Sequence, residues 1–307
     1  MESIQYLLHN KIDKQKWDDC INKSVNRLIY AKSFYLDAMA ANWDAIVLND
    51  YEAVMPLTWK KKWSVAYLYQ PAFVQQGGIF FTNELSKTLI RAFTDKAFTK
   101  FKFAEITFNY LNDVNDLTNT KINIRTNFIL PLLNNYQQIS NGYHSSIIKD
   151  LKRSRQFKLQ YHTSNDYLTI VNLYKKLYQN RLPFFCNKDF TNFNLVCKKM
   201  WADDNLIVRK ITGANEEILA AVILLKDNNR FYNIISCTTD DGKHKGANHF
   251  LYDKVIQEFC NTNYILDFEG SDVKGIADFY RRFKAINQPY PFCKINNLNP
   301  IIKLFKR

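Results

Sequence analysis

Residues 266–285 read Leu266-Asp-Phe-Glu-Gly-Ser-Asp-Val-Lys-Gly-Ile-Ala-Asp-Phe-Tyr-Arg-Arg-Phe-Lys-Ala285, and the fold is decided on this stretch. The apolar run from Tyr264 to Phe268 predicts a short buried strand, and Gly270 and Ser271 predict a turn. Val273 to Phe283 predicts a helix, because Ile276, Ala277, Tyr280 and Phe283 recur at helical spacing. Side chains alternate along a strand, so Asp267 and Glu269 are expected on one face at its carboxyl end. Carboxylates so placed can take a proton or hold an amine. Asp267 or Ser271 can equally serve only to fix the turn or cap the next helix. Tyr280 is a candidate proton donor to a leaving group, or else an aromatic core position with a satisfied hydroxyl.

Working back, Cys237-Thr-Thr-Asp-Asp-Gly-Lys-His-Lys-Gly-Ala-Asn248 joins a predicted strand (Arg230 to Cys237) to a helix carrying Ala247, Phe250, Leu251, Val255 and Phe259. Gly242 and Gly246 permit tight turns, and a helix start offers unpaired N–H groups at the positive end of its dipole. With the charge of Lys243, His244 and Lys245, this is an expected anion site spanning Lys243, His244, Lys245, Gly246, Ala247 and Asn248. It carries neither a Walker nor a Rossmann signature. Further back, Lys149, Lys152, Arg153, Arg155 and Lys158 form a basic stretch on a predicted helix. The spacing puts Lys149, Lys152 and Arg153 on one face. Lys149, Lys152, Arg153 and Arg155 are expected to hold phosphate or carboxylate on a substrate.

The remaining elements fall into two similar runs of helices and short strands. In the first half, Lys14 to Ile21 is helical, and Trp43 to Leu48 and Tyr51 to Leu57 are strands joined at Asn49-Asp50, a hairpin signal. Trp63 to Leu68 is a third strand, and Asn83 caps a helix with Leu85, Leu89, Phe93 and Ala97. Phe103 to Phe108 and Lys121 to Leu132 are further strands. The polar stretch Asn134 to Gly142 marks a boundary, so domains are expected at 1–140 and 141–307. In the second half, Asn165 or Asp166 caps a helix, Phe190 to Trp201 is another, and strands follow at Leu206 to Ile211, Ile218 to Leu225 and Arg230 to Cys237. The tail, Phe292 to Leu304, adds a strand or two. No repeat is visible in the residues themselves. The repeated order of elements predicts two related α/β domains.

Composition excludes several classes. The chain has 307 residues, 47% hydrophobic and 15% aromatic, with only 8 Gly and 7 Pro, so two packed cores are expected rather than disorder or low complexity. No apolar run reaches the roughly 18 residues of a membrane span, and the N-terminus has no secretory pattern. The six cysteines are scattered with no Cys-x-x-Cys pair, which predicts free thiols in a cytoplasmic protein and no metal site. The net charge of +13 suits an anionic partner: RNA, a phosphorylated co-substrate, or the inner face of a membrane.

Together these segments resemble the FemAB/FemX-like branch of the GNAT (acyl-CoA N-acyltransferase) superfamily. Residues 266–285 look like that family's strand, turn and Phe-Tyr-x-x-Phe helix. Residues 143–161, YHSSIIKDLKRSRQFKLQY, are similar to the basic helix opening its second domain. Residues 53–80, with Met55-Pro56 and Pro71-Ala-Phe-Val-Gln75, resemble its first-domain strand and loop. The loop at Lys243–Asn248 keeps the middle glycine of the acetyl-CoA pattern but has Lys first and Asn last. No heptad segment matches the coiled-coil arm of some tRNA-dependent members.

The resemblance implies two tandem GNAT-like domains, each a mixed, mostly antiparallel sheet flanked by helices, with the active site in the second. It implies passage of an acyl or aminoacyl group from acyl-CoA or aminoacyl-tRNA, as co-substrate rather than resident cofactor, to a small-molecule or peptide amine. From their own placement, Glu269 is expected to orient or deprotonate the amine and Tyr280 to protonate the leaving group of a thioester donor, with Asp267 a further candidate base or amine binder. The alternative is a non-catalytic module that clamps RNA or another polyanion on an idle transferase fold. Lys60-Lys-Lys62 and Lys149–Lys158 would then matter most, with Trp59, Trp63, Tyr67 and Tyr69 as stacking platforms. A nucleophilic hydrolase is disfavoured, since His144, His162, His244 and His249 accompany no Gly-x-Ser-x-Gly or Cys–His signature.

Overall fold

The computed structural model describes residues 3–270 and 272–299. Ser271 and the expected tail strand beyond 299 lie outside the described residues. In chain order the elements are β1 (Ile4–Leu7), α1 (Lys14–Lys23), α2 (Ser33–Met39), β2 (Trp43–Leu48), β3 (Ala53–Lys62), β4 (Val65–Tyr69), β5 (Phe80–Phe81), α3 (Lys87–Lys100), β6 (Phe103–Thr107), β7 (Thr120–Arg125) and β8 (Phe128–Pro131). Then come α4 (Tyr136–Asn141), α5 (Ser145–Ser154), β9 (Gln160–Thr163), α6 (Tyr167–Tyr178), α7 (Asn187–Ala202), β10 (Leu206–Thr212), β11 (Ile218–Asp227) and β12 (Arg230–Thr238). The chain continues with α8 (Asp240–His244), α9 (Ala247–Phe259), β13 (Ile265–Asp267), α10 (Lys274–Arg282), β14 (Ile286–Asn287) and β15 (Tyr290–Asn296).

The chain forms two compact units, but not at the expected boundary. One takes the residues up to 125 together with those from 289 on, and the other takes Thr126–Gln288. The predicted strand Lys121 to Leu132 is the reason. It is two strands, β7 and β8, which belong to different sheets. The break falls at Thr126-Asn127, eight residues before the polar stretch that suggested a boundary. Asn134 to Gly142 instead carries α4, started by a reciprocal capping box between Asn135 and Gln138.

The two sheets are wired alike. The first runs β1-β2-β3-β4-β6-β15-β7, with β5 on β3, and the second runs β14-β8-β13-β12-β11-β10-β9. Among the described residues each holds one parallel pair, β4–β6 in the first and β12–β13 in the second, and every other pair is antiparallel. Two mixed, mostly antiparallel sheets flanked by helices are thus present, as expected. In both sheets the position beyond the parallel pair is filled by a strand from far along the sequence. β15 inserts between β6 and β7, and β8 between β13 and β14.

Physical causes are local. β11 is apolar from Leu219 to Leu225 and buried along that run, the pattern of a central strand covered on both faces. The β3–β4 hairpin turns at Trp63 and Ser64, both left-handed (φ 46° and 65°), so β3 is longer than its apolar part and ends in exposed Lys60, Lys61 and Lys62. Helix α6 starts on Asp166, whose side chain accepts from the Thr169 N–H, while α3 starts on Ser86 rather than Asn83. The second unit's core joins Leu130, Leu224, Phe231, Leu251, Tyr252, Phe268, Tyr280 and Phe283 between the sheet and helices α9 and α10.

Candidate active site

Strands β12 and β13 run parallel and then part. Their register covers only Arg230↔Ile265, Phe231↔Leu266 and Tyr232↔Asp267. β13 stops at Asp267, whereas β12 continues to Thr238, paired beyond Tyr232 with β11 alone among the described residues. At the parting point β12 bulges, because Ile223 pairs with Ile235 but Leu224 pairs with Asn233, leaving Ile234 as the extra residue. A bulge re-aims the side chains beside it and leaves backbone groups unpaired. The open edge of β12 and the loop after β13 therefore frame a gap between diverging strands.

A polar cluster fills the base of this gap. Asn233, only 4% exposed, donates through Nδ2 to the Tyr252 hydroxyl (2.6 Å) and to the Phe268 carbonyl (3.4 Å). Its Oδ1 is buried and has no hydrogen-bond partner among the described residues. The Tyr252 hydroxyl also meets the side chains of Ser236 and Tyr280. Burial pushes Tyr252 up to about 12 while its hydrogen-bonding neighbours hold it back. Tyr280 stacks on Phe268 at 4.7 Å between centroids. Burial first, then Tyr252 and the charge of Glu269, raises Tyr280 well above the ordinary phenol. Tyr280 thus keeps its proton throughout the neutral range.

The expected carboxylate pair is not a pair. Strand alternation ends at Asp267, and Glu269 adopts a left-handed backbone (φ 66°), so period two does not carry to it. Asp267 is 1% exposed and bound at 2.9 Å to Arg230 Nη1, itself 6% exposed. It also accepts from the Glu269 N–H at 3.0 Å. Asp267 is occupied in fixing the turn, which leaves Glu269 as the carboxylate near Tyr280.

The expected phosphate loop is also different. Residues 240–244 roll into α8, capped by Thr239, whose hydroxyl accepts from the Gly242 N–H. Asp240 and Asp241 occupy its first turn. Lys243 is bound to Asp240 (2.7 Å), and Lys245 to Asp241 (2.7 Å) and Glu217 (3.4 Å). Gly242 is needed for packing, since a Cβ there would lie 2.1 Å from the Leu219 carbonyl oxygen. Gly246 is left-handed (φ 71°) and starts α9, Ala247 is buried, His244 is exposed, and Asn248 Oδ1 is buried without a partner among the described residues.

On α5 and just after its end, Lys149, Lys152, Arg153 and Arg155 are exposed, but they divide. Arg153 pairs with Asp150 (3.2 Å), whereas Lys152 and Arg155 line a separate cleft against α9. In the first unit, Lys60 lies over the Tyr69 ring (4.2 Å) and Lys62 over Trp63 (4.7 Å). Trp63 is exposed, while Trp59, Tyr67 and Tyr69 are half-buried as strand packing requires. Among the described residues no group of three or more His, Cys, Asp or Glu is placed to hold a metal, and no helix is long and apolar enough to cross a membrane.

Sequence reasoning passed over Asn233, Ser236 and Tyr252. The available signal was a lone Asn inside the apolar strand Arg230–Thr238. A buried amide in such a run needs partners, which points to a polar site behind it.

The fold is similar to that of solved structures of FemX and of a tandem GNAT protein. The chain is similar to a solved structure of FemX, at 13% identity and a TM-score of 0.65, covering 99% of this chain and 100% of that one. It is also similar to the C-terminal domain of a putative lysylphosphatidylglycerol synthetase from Agrobacterium fabrum (8% identity, TM-score 0.58, 95% and 94% covered). A tandem GNAT protein from the clavulanic acid biosynthesis pathway aligns over 97% of this chain and 99% of its own (9% identity, TM-score 0.54). No family model and no curated protein matches the sequence. At these identities the likeness concerns the fold.

Proposed function

We propose that the chain is an N-acyltransferase that passes an acyl or aminoacyl group from an activated donor to an amine in the gap between β12 and β13. The observation that carries this reading is the parting of that parallel pair after Tyr232 and Asp267, beside Asn233, Tyr252, Tyr280 and Glu269. The open edge of β12 offers backbone donors and acceptors to an extended donor chain. Those N–H groups and the fixed dipoles of the cluster would stabilise the oxyanion.

The reaction balances as follows. The amine nitrogen bonds to the carbonyl carbon, its proton goes to Glu269, and the carbon–sulfur or carbon–oxygen bond of the donor breaks. Tyr280, held protonated by burial and by Glu269, gives the leaving group its proton. Asn233 Oδ1 remains an open acceptor for an N–H of either substrate.

The cations of the 240–248 segment are committed to Asp240, Asp241 and Glu217, which weakens any grip on a coenzyme A pyrophosphate. That favours aminoacyl-tRNA over acyl-CoA as donor. The test is transfer of labelled amino acid from bulk aminoacyl-tRNA, and of labelled acetate from acetyl-CoA, to a panel of amines. Glu269→Gln and Tyr280→Phe should each lose most of the transfer, and full activity in both would remove the assignment. Salt-sensitive tRNA binding with no transfer in the wild type would favour the polyanion-binding alternative.

A further inference from the structure

A second concave site lies in the Thr126–Gln288 unit, on the side of α9 away from the gap. It is a cleft of about 510 Å³ between α4, the end of α5 and α9. Six residues carry its chemistry: Tyr136, Tyr143, Lys152, Arg155, Asp253 and Lys254. Tyr252 and Asp253 are adjacent on α9, so one helix serves both places. Tyr252 turns to the gap and Asp253 to the cleft.

The polarity of the cleft is unusual. Asp253 is 7% exposed, accepts a hydrogen bond from the Tyr136 hydroxyl (2.8 Å), and has no cation within ion-pair distance among the described residues. Next to it, the Tyr143 hydroxyl is buried within reach of the Asp253 carboxylate and has no other partner among the described residues. A buried carboxylate served by two phenols and by no close cation is unusual, because buried charges are ordinarily paired. Around them, Lys152 and Arg155 are exposed and form no ion pair among the described residues, and Lys254 is held by Gln257 (2.8 Å) rather than by an acid. Three cations would suit a simple anion, but a carboxylate at the floor would repel it. The arrangement suits a ligand with a hydrogen-bond-donating cation at its inner end and an acid at its outer end.

We propose that this cleft binds a small zwitterion, its primary ammonium on Asp253 and the Tyr143 hydroxyl, and its carboxylate or phosphate among Lys152, Arg155 and Lys254. The site stands apart from the acyl-transfer reading and does not depend on it.

Calorimetric titration of the full chain with O-phosphoethanolamine and with β-alanine tests both sources of the acid group. Ethanolamine and inorganic phosphate serve as the two half-ligands. At least one zwitterion should bind tenfold or more tightly than either half, and the preferred one identifies the acid. Asp253→Asn should weaken the zwitterion at least tenfold and leave phosphate unchanged or tighter. The double variant Lys152→Gln, Arg155→Gln, on the exposed surface, should weaken zwitterion and phosphate together. Tyr143→Phe should weaken the zwitterion several-fold and leave phosphate binding unchanged, with circular dichroism confirming the fold, and it keeps the test intact if Asp253→Asn misfolds. The proposal fails if phosphate binds as tightly as both zwitterions, if neither zwitterion gives heat at millimolar concentration, or if Tyr143→Phe leaves binding unchanged.

Discussion

Asn233 Nδ2 donates to the Tyr252 hydroxyl at 2.6 Å where β12 leaves β13, so one buried amide ties the bulged strand to helix α9. Asn233→Ala removes this bond and the weaker one to the Phe268 carbonyl. It should cost about 1–3 kcal/mol, the range for stranding a buried partner. Urea denaturation gives the stability, and an undiminished midpoint would mean that the amide is not holding the gap.

Arg230 and Asp267 form a buried ion pair at 2.9 Å. Arg230→Met should destabilise by about 3–5 kcal/mol, because the carboxylate is left buried and unpaired. The double variant Arg230→Met, Asp267→Leu should recover much of that loss, since a buried ion pair replaced by apolar groups is often neutral. Chemical denaturation of the single and double variants reads the difference. Equal losses in both would argue that the pair acts through something other than charge.

Alkaline pH should unfold the protein early. Burial pushes Tyr174 and Tyr252 from an ordinary 10.0 up to about 12, and Tyr143 and Tyr280 higher still. Below pH 10 both folded and unfolded states hold these protons, and the stability is intact. Above it the unfolded chain releases them while the native state does not, so stability falls by about 1.4 kcal/mol per pH unit for each such group. Denaturation followed from pH 8 to 11 should show the slope steepening near pH 10. Tyr174→Phe should flatten it by one group's share.

Thiol reactivity should split the six cysteines. Cys186 is exposed and Cys260 is half-buried, whereas Cys20, Cys197, Cys237 and Cys293 are buried. Burial raises Cys20 to about 11 and Cys237 and Cys293 to about 12, so the thiolate needed for reaction is scarce there. An aromatic disulfide reagent at neutral pH should label Cys186 and Cys260 promptly and the other four only in denaturant, as peptide mapping would reveal. Prompt labelling of Cys237 would indicate that the gap beside β12 opens more widely.

The sequence by itself determined most of the elements, through local patterns, though not α4 or α8. The apolar run of β11 reads as a buried strand, the stripe of Ile170 and Val171 behind Asp166 as a capped helix, and Leu266 to Ala285 as strand, turn and helix. Period and capping depend only on near neighbours along the chain, so they are visible in one dimension. Tyr280 and Glu269 were legible as candidates for the same reason. Only the tertiary structure decided that the run Lys121 to Leu132 is two strands in two sheets, and that β15 and β8 fill equivalent places in them. It also decided that Asp267 belongs to Arg230, 37 residues away, that Asn233 reaches Tyr252, and that Lys152 and Arg155 face Asp253 rather than lining up with Arg153. Each of those depends on which side chains long-range pairing brings together, and the free energy of burying a charge or an amide is fixed by the partner it meets there.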